Sequence, residues 1–208
     1  MQKIIDNTSS IFQIISIFKI KFMQITDDLQ KIKQSLQKKN LCVLPTDTIL
    51  GIFSSTDDHS VEKIFYAKKR SHNKPLAIFL PNIQTISQYG ILNDNVQAFI
   101  QKNLPGAFTI LLKATDWAKN MLPRFLISQD DKIGIRIPNQ YDILNITKEI
   151  IICGTSVNIS GQNFADYDNI PHEIQQHVEY LYKPNCVKLS HNPSQIVDFS
   201  TNEGIIVR

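Results

Sequence analysis

The chain has 208 residues, 42% of them hydrophobic and 20% charged, with a formal net charge of +3. That length supports one substantial core and leaves little room for a second full domain. The mixed charges and ordinary apolar content exclude a disordered or fibrous chain, and so small a net charge decides nothing about nucleic acid.

The run Ile11–Phe18 is apolar and is followed by Lys19 and Lys21. It is too short to span a bilayer and has no small-residue cleavage site behind it, so a membrane span and a signal peptide are both disfavoured. Residues 1–22 are expected to be an N-terminal extension, either packed peripherally or lying ahead of a true start at Met23. The domain is expected over residues 23–208. Thr26 or Asp27 can cap a helix whose apolar positions Ile25, Leu29, Ile32 and Leu36 recur at helical spacing through Lys39. Leu41–Leu44 is the first buried strand, and Ile49–Phe53 follows it after the turn Pro45-Thr46-Asp47-Thr48. Asp57, Asp58 and Ser60 open a helix bearing Val61, Ile64 and Phe65, which ends in Lys68, Lys69 and Arg70.

Leu76–Leu80 reads as a strand, Asn93 or Asp94 caps a helix carrying Val96, Phe99 and Ile100, and Pro105-Gly106 breaks the chain before the strand Phe108–Leu112. In Ile133-Gly134-Ile135-Arg136-Ile137 the alternation puts three isoleucines on one face and Arg136 on the other, a polar or cavity-facing surface. Ile150–Cys153 reads as a buried strand, Pro171–Leu181 as a helix with proline near its first position, and Ile196–Phe199 and Ile205–Val207 as closing strands. Strands alternating with helices, followed by strands with little between them, predict an α/β domain on a twisted mixed sheet.

Cys42, Cys153 and Cys186 are widely separated, with no Cys-x-x-Cys pattern, which fits a reduced, cytoplasmic setting. His172 and His177 stand five apart on one predicted helix and point in different directions, so no metal pair is expected. Neither usual glycine-rich phosphate loop is present. A nucleotide would have to be held by side-chain cations and hydroxyls instead. Lys68, Arg70 and Lys74 supply cations at a helix end and before a strand, where composition alone favours complementing the helix dipole as the explanation. Thr46, Asp47 and Thr48, and likewise Ser156, Asn158 and Ser160, also suit turns that bond their own backbone.

Order and spacing change that weighing. The chain carries Pro45-Thr46-Asp47-Thr48 with Gly51, Lys68-Lys69-Arg70 with Lys74-Pro75, Pro105-Gly106-Ala107-Phe108-Thr109, Arg136-Ile137-Pro138, Ser156-Val157-Asn158-Ile159-Ser160-Gly161, Ser194 to Asp198, and a final Arg208. In that order the set resembles the YrdC family, the threonylcarbamoyl-AMP synthases, in a short single-domain form. The resemblance implies an open twisted mixed sheet with helices around a concave basic cavity. It implies a nucleotidyltransferase that makes threonylcarbamoyl-AMP and pyrophosphate from L-threonine, bicarbonate and ATP, with Mg2+ accompanying the ATP and no protein-only metal site. The product would pass to a tRNA threonylcarbamoyl-transferase complex that modifies the adenosine beside the anticodon.

Carried over position by position, the resemblance makes Lys68, Arg70 and Arg136 the catalytic cations and Thr46 and Ser194 the threonine-binding residues. Lys74, Thr109, Thr155, Ser156, Asn158 and Arg208 would bind nucleotide. Five positions depart from the family pattern: Leu50 for tyrosine, Ala107 for the second proline, Gln140 for histidine, Val157 for alanine and Gln195 for threonine. None removes a cation, and those at Leu50 and Gln195 bear on how the amino acid is shaped. A non-catalytic module of the same fold, binding double-stranded RNA or tRNA directly, ranks second because basic and aromatic residues do not alternate. A carbamoyl-transfer domain of hydrogenase maturation proteins ranks third, because the zinc-finger and acylphosphatase-like regions of those longer chains have no counterpart.

Overall fold

Two runs without a charge, Leu41–Pro45 (β2) and Leu50–Ser55 (β3), are buried at every position in a computed structural model of the protein. Strands covered on both faces need that composition. They form an antiparallel hairpin with Val43 opposite Ile52 and Leu44 opposite Gly51. The structure describes residues 23–201 and 203–208, so the expected extension, residues 1–22, lies outside it. Around the hairpin the described residues build a ten-stranded sheet in the order β1-β8-β2-β3-β7-β4-β6-β5-β9-β10. The other strands are β1 (Gln24–Thr26), β4 (Ala77–Phe79), β5 (Phe108–Lys113), β6 (Lys132–Arg136), β7 (Ile152–Ser156), β8 (Val178–Tyr182), β9 (Gln195–Asp198) and β10 (Ile205–Ile206). Parallel pairs such as β4 with β6 and antiparallel pairs such as β3 with β7 coexist, which makes the sheet mixed.

Helices cover both faces. On one, α2 (Asp58–Lys68) and α4 (Asp94–Asn103) bury Val61, Ile64, Phe65, Val96 and Ile100 against Ile52, Ile78, Ile133 and Ile135 of the sheet. On the other, α1 (Leu29–Gln37) and α6 (Tyr141–Thr147) bury Ile32, Leu36, Ile143 and Ile146 against Cys42, Leu44, Phe53 and Phe79. Lys33 staples those two helices by donating to Glu149 Oε1 at 2.5 Å and Asn145 Oδ1 at 3.3 Å. The caps are local: Asp28 accepts from the Gln30 and Lys31 amides, Asp57 from Ser60, Asn93 from Val96 and Thr115 from Ala118. Short helices α3 (Ile86–Tyr89), α5 (Asp116–Met121) and α7 (His172–Gln175) complete the set. No helix among the described residues is long and apolar enough to cross a membrane.

The expected helix over Pro171–Leu181 is corrected. It lasts only through α7, and the chain then enters β8, parallel to both β1 and β2. Ile174, Val178 and Leu181 stand four and three apart, which mimics a helical stripe, yet the segment Val178–Tyr182 is β-branched and aromatic and fills a gap in the sheet. Ile25 likewise belongs to β1, where it is exposed, because Asp28 caps the first helix later than Thr26 or Asp27 would. The strand expected at Ile150–Cys153 runs instead over Ile152–Ser156, and α3, α5, α6, β1 and β8 are additional to the expected elements.

Candidate functional site

The floor of the site is one row across the sheet. Phe53 pairs with Gly154, Gly154 with Ala77, Ala77 with Gly134 and Gly134 with Leu111. Side chains directly opposite in register share a face, so three small residues in succession leave a trough between Phe53 and Leu111. A cavity of about 390 Å³ occupies it, a size suited to a small-molecule ligand. Gly154 is needed for close approach, since a Cβ there would lie 2.5 Å from Phe53 Cδ1 and 2.8 Å from the Ile52 carbonyl.

Arg70, Lys132, Arg136 and Arg208 line the cavity, together with Asp130. The expected alternation holds: Ile133, Ile135 and Ile137 are fully buried in the core while Lys132, Gly134 and Arg136 face the cavity. Arg136 is itself buried. Its Nη2 donates to Asp47 Oδ1 at 2.6 Å and Thr48 Oγ1 at 3.0 Å, and its guanidinium stands 5.5 Å from the centre of the Phe79 ring. Its Nε is buried with no partner. Burial pushes the Arg136 pKa down, Asp47 opposes that and Arg208 adds to it; a guanidinium remains charged regardless. Arg70 Nε donates to the Lys74 carbonyl at 2.8 Å, and burial followed by the Arg208 charge lowers its pKa. Arg208 donates to the Ser194 carbonyl from Nε at 3.4 Å and Nη2 at 3.2 Å.

Hydroxyls complete the wall. Thr109 Oγ1 and Ser194 Oγ lie 2.9 Å apart, and Thr46, Thr155, Ser156 and Ser128 also line the cavity. The Thr46 hydroxyl is largely used by its own turn: it accepts from the amides of Thr48 at 3.0 Å and Ile49 at 3.2 Å. Lys132, Asp130 and Ser128 were not among the candidate residues. Lys132 was legible, since it stands at even spacing from Gly134 and Arg136 on the same strand. Asp130 and Ser128 sit in an irregular loop with no such signal.

Three candidates sit elsewhere than expected. Lys68 does not line the cavity; it ends α2 with a fully buried side chain whose Nζ donates to the Ser156 carbonyl, the Asn158 carbonyl at 2.5 Å and Asn158 Oδ1 at 3.1 Å. The helix end is closed locally, with Lys69 in the left-handed conformation (φ 50°) and the Arg70 amide returning to the Phe65 carbonyl at 2.9 Å, while the acceptors that hold Lys68 inward come from the loop after β7. Burial, reinforced by the Arg70 charge, lowers the Lys68 pKa to about 7. Asn158 is the buried other half of that contact, its Nδ2 donating to the Ile159 and Gln162 carbonyls. Lys74 has an exposed side chain, and only its carbonyl serves the site, by holding Arg70.

Of the five departures, Leu50 alone lines the cavity. Gln140 caps α6 by accepting from the Ile143 amide at 2.6 Å, Val157 is core, the Gln195 side chain is exposed, and the Ala107 carbonyl accepts from the Gln195 amide at 3.0 Å. Among the described residues no group of three or more His, Cys, Asp or Glu is placed to hold a metal ion.

Residues 34–208 match the model of the Sua5/YciO/YrdC family, described as telomere recombination. A protein of Wigglesworthia glossinidia brevipalpis named threonylcarbamoyl-AMP synthase is 31% identical over 187 residues, covering 86% of this chain and 92% of that one. The crystal structure of P. abyssi Sua5 complexed with L-threonine matches with a TM-score of 0.77 at 19% identity, over 90% of this chain and 56% of that chain. This chain thus spans little more than half the length of Sua5. The crystal structure of E. coli YciO matches with a TM-score of 0.74 at 20% identity, over 90% of this chain and 93% of that one. Those two likenesses speak for the fold, a mixed sheet with helices on both faces. With the family model matched along residues 34–208, the chain belongs to the Sua5/YciO/YrdC family.

Proposed function

We propose that the protein is an L-threonylcarbamoyladenylate synthase, which makes threonylcarbamoyl-AMP and pyrophosphate from L-threonine, bicarbonate and ATP. The observation that carries this reading is the convergence of Arg70, Arg136 and Arg208 on one cavity whose floor is kept low by Gly154, Ala77 and Gly134. The threonine amine adds to carbon dioxide derived from bicarbonate, and the resulting carbamate oxygen attacks the α-phosphorus of ATP. As that bond forms, the bond from the α-phosphorus to the bridging oxygen breaks and pyrophosphate leaves. Such a transfer asks the protein for positioning and charge stabilisation and needs no protein nucleophile.

Arg70 and Arg136 neutralise phosphate charge in this reading. Thr46 and Ser194 hold threonine, and Thr109, Thr155, Ser156 and Arg208 face the nucleotide. Lys68 and Asn158 act from behind the wall by fixing the Ser156 backbone, and Lys74 acts through the carbonyl that orients Arg70. Magnesium accompanying ATP would add to the neutralisation of phosphate charge that Arg70 and Arg136 supply. The product passes, in the cytoplasm, to a complex that modifies the adenosine beside the anticodon of tRNA.

The test is incubation with ATP, magnesium, bicarbonate and labelled L-threonine, following threonylcarbamoyl-AMP and pyrophosphate. Product that depends on bicarbonate and falls when serine replaces threonine is expected. A folded, ATP-binding protein that gives no product overturns the reading.

A further inference from the structure

We propose that Asp47 is a positioning residue for the proposed reaction: it holds the Arg136 guanidinium by Nη2 so that the rest of the cation is kept against the cavity for an anionic group of the substrate, a carboxylate or a phosphate. The inference rests on the functional reading above for its substrates and on the geometry for its logic. Both hydrogen bonds of the Arg136 side chain leave from one nitrogen, Nη2, to Asp47 Oδ1 at 2.6 Å and Thr48 Oγ1 at 3.0 Å. Its Nε, beside Nη2, is buried without a partner. A buried guanidinium N–H without an acceptor is unfavourable, and an oxygen anion is the acceptor that best offsets the cost of a buried cation.

Asp47 is itself held on both sides. While Oδ1 accepts from Arg136, Oδ2 accepts from the Asn139 amide at 3.1 Å. Thr48 Oγ1, the other acceptor of Arg136, lies 2.7 Å from Thr46 Oγ1, which is tied to the backbone of its own turn. The guanidinium is therefore fixed at Nη2 by the turn before β3, which the Asn139 amide ties to the chain beyond β6. The face of Phe79 at 5.5 Å limits its remaining freedom.

Asp47 also has an opposing effect, because its negative charge repels the same anion. A positioning role requires that the lost orientation outweigh the relieved repulsion when that charge is removed. This makes the sign of the effect the discriminating result.

The experiment titrates the full chain calorimetrically with L-threonine alone and with ATP-magnesium alone, using wild type, Asp47→Asn, Asp47→Glu, Arg136→Lys and the Asp47→Asn/Arg136→Lys double variant. Whichever ligand places its anion on Arg136 is expected to lose about tenfold or more in affinity in Asp47→Asn and in Arg136→Lys, the other ligand changing little. Asp47→Glu should recover part of the loss, and the double variant should bind no more weakly than Arg136→Lys, because Asp47 acts through Arg136. Equal or tighter binding by Asp47→Asn, multiplying effects in the double variant, unaltered binding by Arg136→Lys, or a wild type that binds neither ligand would each overturn the proposal. Product formation by the wild type separates this outcome from the functional reading, since a protein that binds but makes no product fails the reading alone.

Discussion

Lys68 Nζ donates to Asn158 Oδ1 at 3.1 Å, beneath the loop that follows β7 rather than in the cavity. The ammonium replaces a set of backbone partners for that loop, since the Ser156 and Asn158 carbonyls accept from the same nitrogen. A cation at the end of a helix thus shapes the site without facing it.

Replacing Lys68 by Met keeps most of the volume but leaves the buried carbonyls and the Asn158 amide oxygen short of a donor. Stability should fall by about 1–3 kcal/mol, and substrate affinity should fall with it because Ser156 loses its support. The pH dependence follows from the lowered pKa of about 7. The unfolded chain holds the proton up to about pH 10.4, so between the two values it binds more protons than the folded one. Wild-type stability should therefore rise relative to Lys68→Met as pH goes from about 7 toward 10. Urea unfolding of both proteins across that range checks it, and a gap that does not change in the wild type's favour refutes it.

Gly154→Ala places a methyl group 2.5 Å from the ring of Phe53 and 2.8 Å from a backbone carbonyl. The ring and the strand must both shift beside the cavity that Phe53 and Gly154 line, so stability should drop by about 1–3 kcal/mol and the cavity should change shape. Denaturation midpoints report the first effect and titration with ATP-magnesium the second.

Thr109→Val keeps the shape of the side chain and removes the hydroxyl that lies 2.9 Å from Ser194 Oγ. About 0.5–1.5 kcal/mol of stability should be lost. In the proposed reaction Ser194, which holds threonine, loses its Thr109 partner, so the larger change should be a raised KM for threonine with kcat nearly kept, as for a contact made equally in the bound and transition states. Steady-state kinetics with varied threonine decides it.

Lys132→Met removes the partner of Asp198, whose Oδ2 lies 2.8 Å from Lys132 Nζ. Burial raises the Asp198 pKa, but hydrogen bonds from Lys132 and Ser200 outweigh it and hold the carboxyl below its ordinary value. The stability it contributes is present above the ordinary carboxylate range and lost as pH falls through the lowered value. The variant should unfold at a higher pH in an acid titration, by an amount worth about 1 kcal/mol or less because the pair is partly exposed.

Periodicity reached one layer of this protein. The alternation around Arg136 told which side chains would share the cavity face, because a strand's period of two is set by its own backbone. The uncharged runs at β2 and β3 marked the centre of the sheet, and Asp57 and Asn93 marked helix starts, for equally local reasons. Where two local patterns coincide the sequence misleads: the spacing of Ile174, Val178 and Leu181 fits a helix, and only the vacancy between β1 and β2 makes it a strand. The inward turn of Lys68 depends on how the last turn of its helix meets a loop nearly ninety residues away.

What the sequence by itself determined was the family, the order of the motifs and the face on which each strand residue points. The meeting of Asp47 and Arg136 was decided by tertiary structure. Arg136 is level with Phe79, Phe79 with Ile152, and Ile152 with Ser55, the last residue of β3, whereas Asp47 lies in the turn before β3 begins. In a flat sheet the two would stand at opposite corners. Adjacent strands of a sheet are rotated against one another by roughly 20–25°, and the contact of Arg136 with Asp47 depends on how the whole sheet curves across β3, β7, β4 and β6. The twist arises from backbone sterics common to every L-chain, but which residues it brings together depends on the strand order, which no local pattern encodes.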